Sequence, residues 1–266
     1  MLYRAIHTTC YTYEGPVSHC LSEAKLTPRV LPHQHLHNWN LHVSPQPSAI
    51  LSRLDYFGNG ISSFAVLEPH DSFTITAESL VEVTPRHPAP ATEDEILHAD
   101  EFLWESPFIP WLDTLIDYFP VKASLESAQS LMQKIHSDFA YTPDSTSIET
   151  PLADVVRDRK GVCQDFAHVM IGALRAHKVP ARYVSGYLRG DADFQGAQAS
   201  HAWVSAFFAD HGWIDFDPTN NVIPGTGHLT VAWGRDYGDV TPVKGITIGG
   251  GEHTLEVDVR VSPVVA

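Results

Sequence analysis

Basic residues are scarce in this chain: 17 lysines and arginines stand against 32 aspartates and glutamates, a formal net charge of −15 over 266 residues. Nucleic-acid binding rests on clustered cations that release counterions from phosphates. No such cluster is present, so nucleic acid is not expected as a partner. Long apolar stretches are missing too, and no run approaches the roughly 20 residues that span a bilayer. The start, Met1-Leu2-Tyr3-Arg4-Ala5-Ile6-His7, lacks the basic segment and the apolar block of about 7–15 residues of a secretory leader. The expectation is a cytoplasmic protein with no membrane partner. Cysteine is rare as well: Cys10, Cys20 and Cys163 are too few for a disulfide framework, and their odd number leaves a thiol free in any pairing. Free thiols suit a reducing compartment.

What remains is ordinary for a globular chain, with 43% apolar and 18% charged residues, and the length allows two modest domains. From Leu2 to about Val83, short alternating or β-branched segments are separated by turn residues at spacings of about 8–12, which predicts an antiparallel β-sandwich over residues 1–84. Tyr3 to Tyr13, Leu36 to Val43 and Phe73 to Val83 are such segments. Phe57-Gly58-Asn59-Gly60-Ile61 predicts a β-hairpin, because Asn and Gly both accept the positive φ of a tight turn. Thr84-Pro85-Arg86-His87-Pro88-Ala89-Pro90 has three prolines and reads as an extended linker.

Residues 91–266 form the second unit. Leu125, Ala128, Leu131, Met132, Ile135 and Phe139 recur at helical spacing behind Ser124, a suitable N-cap. A second helix, over about 163–177, is apolar on most of its circumference, as a buried helix is. Strands follow over Ala181 to Leu188, His201 to Ala209 and Gly212 to Asp217, and Glu252 to Val261 alternates like a half-buried strand. That last strand either returns to the sandwich or caps the second domain. The fold class is α+β.

Gly161-Val162-Cys163-Gln164-Asp165 places a cysteine where a loop gives way to the apolar helix. There, unpaired N–H groups and the positive helix end favour thiolate. His201 lies on a strand with Trp203, Ser205 and Phe207 on its face, and can take the thiol proton and return it to a leaving group. Asp215 and Asp217 are both candidates to hold the imidazole. Asp217 is preferred, being next to Pro218-Thr219, and Asp215 is second. A thiol, a base and a carboxylate in this order read as a cysteine-dependent acyl-transfer enzyme.

The motifs together resemble the transglutaminase-like superfamily, in particular its bacterial members with an N-terminal β region. Gly161 to His168 is similar to the cysteine motif and Ala181 to Tyr187 to the following strand. Ser200-His201-Ala202-Trp203 and Gly212-Trp213-Ile214-Asp215-Phe216-Asp217-Pro218-Thr219 match the histidine and aspartate motifs. The resemblance implies a papain-like core with Cys163 as nucleophile, His201 as base and Asp217 as orienting group. It further implies a peptide or protein amide as substrate, cleaved through a thioester by a peptidase or amidohydrolase. A glutamine/amine transglutaminase is the alternative within the class, and a catalytically silent scaffold the alternative outside it. No cofactor is expected. For the oxyanion, the Cys163 N–H is a first donor, and Tyr141 and Gln164 are candidates for a second.

Other polar groups carry less. His33, His35 and His37 would line one strand face at a spacing that could bind zinc, but no cysteine or acidic ligand completes the set and no metal site is expected. No Asp-x-Asp-x-Asp-Gly calcium loop occurs. Asp165 and His168 do not stack on Cys163 at helical spacing, so structural hydrogen bonding is expected of them.

Overall fold

A computed structural model describes residues 1–87, 89–120, 122–190 and 194–264. Pro88 of the expected linker, and Asp191 to Asp193 of the loop after Leu188, lie outside the described residues. The chain opens with β1 (Leu2–Thr27), β2 (Gln34–Ser44), β3 (Ile50–Leu54), β4 (Gly60–Val66) and β5 (His70–Val83). Helices α1 (Glu93–Ala99), α2 (Asp113–Tyr118) and α3 (Leu125–Asp138) follow, then β6 (Ala140–Tyr141), α4 (Leu152–Asp158), β7 (Lys160–Gly161) and α5 (Cys163–Ala176). The remainder is β8 (Ala181–Leu188), β9 (His201–Phe208), β10 (Gly212–Phe216), β11 (His228–Gly234), α6 (Tyr237–Val240), β12 (Val243–Gly249) and β13 (His253–Pro263).

The N-terminal β region is one seven-stranded antiparallel sheet organised around β1. Its first half pairs with β5 and β13, its second half with β4 and β12. The change of partners falls at one stretch: pairing with β5 shifts between Thr12 and Val17, and Gly249, Gly250 and Gly251, all at positive φ, lie where β12 gives way to β13. Three consecutive left-handed residues are accessible to glycine at little cost. The sheet therefore folds over itself, and Val17, Leu26, Phe64 and Phe73 meet inside the bend, as the inner faces of a sandwich do. The segment Glu252 to Val261 returns to this sheet, with Val259 opposite His7 and Val261 opposite Ala5.

The hairpin forms between Leu54 and Gly60, but its turn differs from the expected one. Asp55 accepts from the Gly58 N–H and Asp55 N–H donates to the Asn59 carbonyl, so the loop is longer than two residues and only Gly58, at φ 74°, is left-handed. Gly60 is needed for space instead, since a Cβ there would lie 2.9 Å from Thr27 Cβ. Asn59 is fully buried and forms two bonds with the backbone of Trp233, from Nδ2 to its carbonyl and to Oδ1 from its N–H.

In the second unit, α5 lies against a four-stranded antiparallel sheet of order β10-β9-β8-β11. Eleven residues of α5 are buried, each large aliphatic side chain contributing about 1.5–3 kcal/mol by burial. Gly172 is where α2 crosses: a Cβ would come within 2.6 Å of Leu115 Cδ1. Tyr3, Ala5, Val81, Val83, Val259 and Val261 of the bent sheet share a continuous core with α5 and its sheet. Every residue of β8 and β9 is buried, so both faces of this sheet are covered. That leaves the site at the strand ends and the helix start, where backbone donors are free.

Candidate active site

Cys163 is the first residue of α5, among the N–H groups a helix start leaves without intrahelical partners. Asp165 folds back to accept from the Val162 N–H (2.8 Å) and the Thr146 hydroxyl (2.7 Å), fixing the chain as it enters the helix. This contact explains Gly161, where a Cβ would stand 2.4 Å from Asp165 Oδ2. Cys163 is half-buried, and none of the three cysteines is bridged. His168, further along the helix, is structural: its Nε2 accepts from the Tyr237 N–H at 3.2 Å, and burial lowers its pKa to about 3.

His201 begins β9 and Asp217 follows directly on β10. Their side chains are fully buried, and Nε2 of His201 donates to Oδ2 of Asp217 at 2.8 Å. Burial pulls the imidazole pKa down. The Asp217 carboxylate outweighs it by charge and hydrogen bond, with a further contribution from Cys163, and the pKa rises to about 10. Burial likewise opposes ionisation of Asp217, yet His201 and then His228 hold it well below the usual carboxylate range. The second ring nitrogen of His201, Nδ1, is buried and has no completed hydrogen bond among the described residues. With Nε2 committed to Asp217, Nδ1 is the ring nitrogen not engaged by the carboxylate.

The two aspartates part company. Asp215 pairs with Arg86 (3.1 Å) and accepts from Trp203 Nε1 (3.3 Å), with no contact to His201. Burial disfavours its charge, but Arg86 and Arg182 hold its pKa below normal. Asp217 lies beyond the end of β10, where its backbone pairs with Val222 across a turn. In that turn Oδ1 accepts from the N–H groups of Thr219 (3.0 Å) and Asn220 (3.1 Å), and Oδ2 from Asn220 Nδ2 (2.8 Å). His228 of β11 adds a second imidazole, Nε2 lying 3.2 Å from Oδ2. Neither Asn220 nor His228 was apparent from the sequence. The one signal for His228 is that β11 pairs with β8 beside β9, and this pairing has no local pattern.

Tyr141 is carried next to the cysteine loop by the short parallel pair of β6 and β7, in which it lies opposite Gly161. Burial first, then the nearby Cys163 and Asp217, raise its pKa to about 12, so its phenol keeps the proton and can donate. Gly196, at φ 87°, brings a loop onto the same place: a Cβ there would sit 2.9 Å from His201 Nδ1 and 3.8 Å from the Tyr141 hydroxyl. Gln164 is half-buried, and its side chain makes no hydrogen bond among the described residues. The three histidines at 33, 35 and 37 do not form a stripe. His33 precedes β2, a bulge between Leu36 and Asn38 breaks the alternation, and His37 pairs with Glu82 at 3.0 Å. Among the described residues no group of three His, Cys, Asp or Glu is placed to hold a metal ion.

A thiol at a helix start, with a buried imidazole–carboxylate pair on the adjoining antiparallel sheet, defines an α+β protein of papain-like architecture. Residues 3–82 match the bacterial transglutaminase-like N-terminal region and residues 114–218 the transglutaminase-like superfamily. The chain belongs to the transglutaminase-like superfamily, in the bacterial group with that N-terminal region. An uncharacterized protein of Mycobacterium tuberculosis is 33% identical over 290 aligned residues, covering 98% of this chain and 92% of its own. One from Mycobacterium leprae is 32% identical over 280, covering 97% and 98%. A protein-glutamine gamma-glutamyltransferase of Pseudomonas aeruginosa is 35% identical over 104 residues, 36% of this chain and 16% of that one. Among solved structures, a candidate cysteine protease from Cytophaga hutchinsonii has the same fold, with a TM-score of 0.79, 21% identity and coverage of 100% and 91%.

Proposed function

We propose that the protein is a cysteine-dependent acyl-transfer enzyme that cleaves an amide or isopeptide bond of a peptide or protein. The observation that carries this reading is the buried 2.8 Å bond between His201 Nε2 and Asp217 Oδ2, which leaves the other ring nitrogen for the thiol of half-buried Cys163. In the proposed reaction the Cys163 thiolate attacks the amide carbonyl. The oxyanion is held by the Cys163 N–H and the Tyr141 phenol, and the amine departs with a proton from the His201 imidazolium. Water, deprotonated by His201, then resolves the thioester. Asp217 stays ionised throughout, and its role is to fix the ring and stabilise imidazolium.

The shared stretch with the Pseudomonas glutamyltransferase favours a second reading, in which a primary amine replaces water as acceptor. One experiment separates the outcomes. A panel of ordinary peptides, isopeptides and glutamine peptides is incubated with wild type and Cys163→Ala, with and without a primary amine. Product without amine that disappears in Cys163→Ala supports hydrolysis, and amine incorporation outpacing ammonia release supports transfer. No thiol-dependent product from any member of the panel, together with alkylation of Cys163 no faster than of Cys10 or Cys20, would leave the scaffold reading.

A further inference from the structure

A cavity away from the thiol contains a buried cation with no hydrogen-bonded partner among the described residues. It has a volume of about 820 Å³ and lies between the chain around Leu31 to His33, the linker residues Thr84 to His87, Ala89, Pro90 and Thr92, and the sheet face that carries Arg182, Trp213 and Asp215. A second cavity of about 420 Å³ shares Glu95, Arg182, Trp213 and Trp233 with it, so the Arg182 guanidinium borders both. Arg182 is only 9% exposed. Its guanidinium carbon lies 3.7 Å from the Trp233 ring centroid and 4.1 Å from that of Trp213.

Arg182 differs from a buried arginine that serves the fold alone. Arg175, 3% exposed, donates to the carbonyls of Ala181, Trp104 and Arg235 and to the Ser106 hydroxyl. Arg182 makes no hydrogen bond or ion pair among the described residues, and its buried Nε has no acceptor. The nearest carboxylate, Asp215, is engaged by Arg86. Arg29, on the same Trp233 ring at 3.5 Å, donates from its guanidinium to the Phe57 carbonyl and the Asn59 amide oxygen and has the Asp55 charge nearby. Arg86 and Arg182 line this cavity with Asp215 and Glu95. Arg86 and Asp215 pair with each other and Glu95 is held by Thr92 in the α1 capping box, so Arg182 is the guanidinium left without a bonded carboxylate among the described residues. A planar fork of N–H donors fits a carboxylate in two parallel bonds, and desolvation strengthens each bond. The remaining walls are apolar, among them Leu31, Pro32, Pro85 and Val184. Asp215 and Glu95 would repel a polyanion.

We infer that this cavity is a binding site for a small organic monocarboxylate with an apolar body, its carboxylate on Arg182 and its body along the proline-rich wall. The site is independent of the thiol chemistry. The test uses the full-length protein and hexanoate as probe, read by tryptophan fluorescence, because Trp213 and Trp233 hold the recognising group. Saturable binding of hexanoate is expected in the millimolar range or tighter, with neutral hexanamide weaker by about tenfold or more, the loss of a charge-assisted pair. Arg182→Met should lose the same factor while keeping the far-UV spectrum of wild type. Carbamidomethylation of Cys163 should leave the affinity unchanged within about twofold, since the modified thiol lies outside this cavity. Equal binding of hexanoate and hexanamide, or no saturation by hexanoate, would overturn the assignment. Loss of hexanoate binding on blocking Cys163 would overturn it too, by placing the probe in the thiol cleft. If Arg182→Met does not fold, the wild-type comparison of acid with amide and the Cys163 block still decide.

Discussion

Asp215 and Asp217 are two residues apart at one strand end, yet they serve opposite electrostatic settings. Asp217 faces imidazoles: His201 at 2.8 Å and His228 at 3.2 Å. Asp215 faces guanidiniums, Arg86 at 3.1 Å and Arg182 behind it. An imidazole can pass a proton on, whereas a guanidinium remains charged at any pH the fold survives. The partner rather than the carboxylate therefore decides whether a buried aspartate sits against a group that can exchange a proton or in a fixed charge network.

This contrast can be broken most severely at the thiol. Cys163→Ala and His201→Ala should each remove turnover almost entirely, by about 10⁴-fold or more, with far-UV spectra unchanged. Asp217→Asn should lower kcat by about 10²–10⁴-fold through loss of ring orientation. Asp215→Asn should leave kcat within about threefold but cost about 3–5 kcal/mol in urea unfolding, because it strands Arg86 in a partly buried site. Finding the two asparagine variants equal in kcat would remove the distinction between the aspartates.

A pH series sharpens the same point. The His201 pKa is raised from 6.5 to about 10, so its share of stability is complete below 6.5 and is lost as pH climbs toward 10. The Asp217 pKa is lowered from 3.8, so the interaction is present above that value and fades as pH falls below it. Both statements describe one ion pair. The difference in Tm between wild type and Asp217→Asn should therefore be greatest between about pH 4 and 6.5 and shrink on either side. A smaller effect is expected at His228, where His228→Ala should reduce kcat/KM by about tenfold by freeing Asp217 Oδ2 from its second imidazole. Gly196→Ala should act at a similar level, since φ 87° and a Cβ 2.9 Å from His201 Nδ1 both oppose a side chain there. Peptide hydrolysis assays measure both.

Much of the second unit was legible because its signals are local. The α3 helix begins at the Ser124 cap, whose hydroxyl accepts from the Ser127 N–H, and α5 spans the apolar run from Cys163 to Ala176. The N-terminal region was legible only in character. Tyr3 to Tyr13 is the first half of a 26-residue strand, and the strands completing its far edge come from residues 243–263. Sheet partners are chosen by long-range pairing that leaves no short pattern. The Asn59-Gly60 pair marked a turn correctly, but Asn59 serves the Trp233 backbone rather than a left-handed position. Local propensity registers where a chain reverses, and the tertiary contact selects the turn type.

The sequence by itself determined the helix that bears Cys163, the strands that bear His201 and the aspartates, and the family to which the chain belongs. Those follow from periodicity, caps and short motifs, which act over a few residues. The preference for Asp217 over Asp215 was already in the sequence; tertiary structure alone decided that His228 and Asn220 share the Asp217 carboxylate, that Asp215 is turned to Arg86, and that Arg182 is buried between two indoles with no acceptor among the described residues. Each of these depends on residues brought together by a sheet whose order, β10-β9-β8-β11, differs from the chain order. A buried charge takes its pKa and its role from whatever that packing sets within a few ångströms.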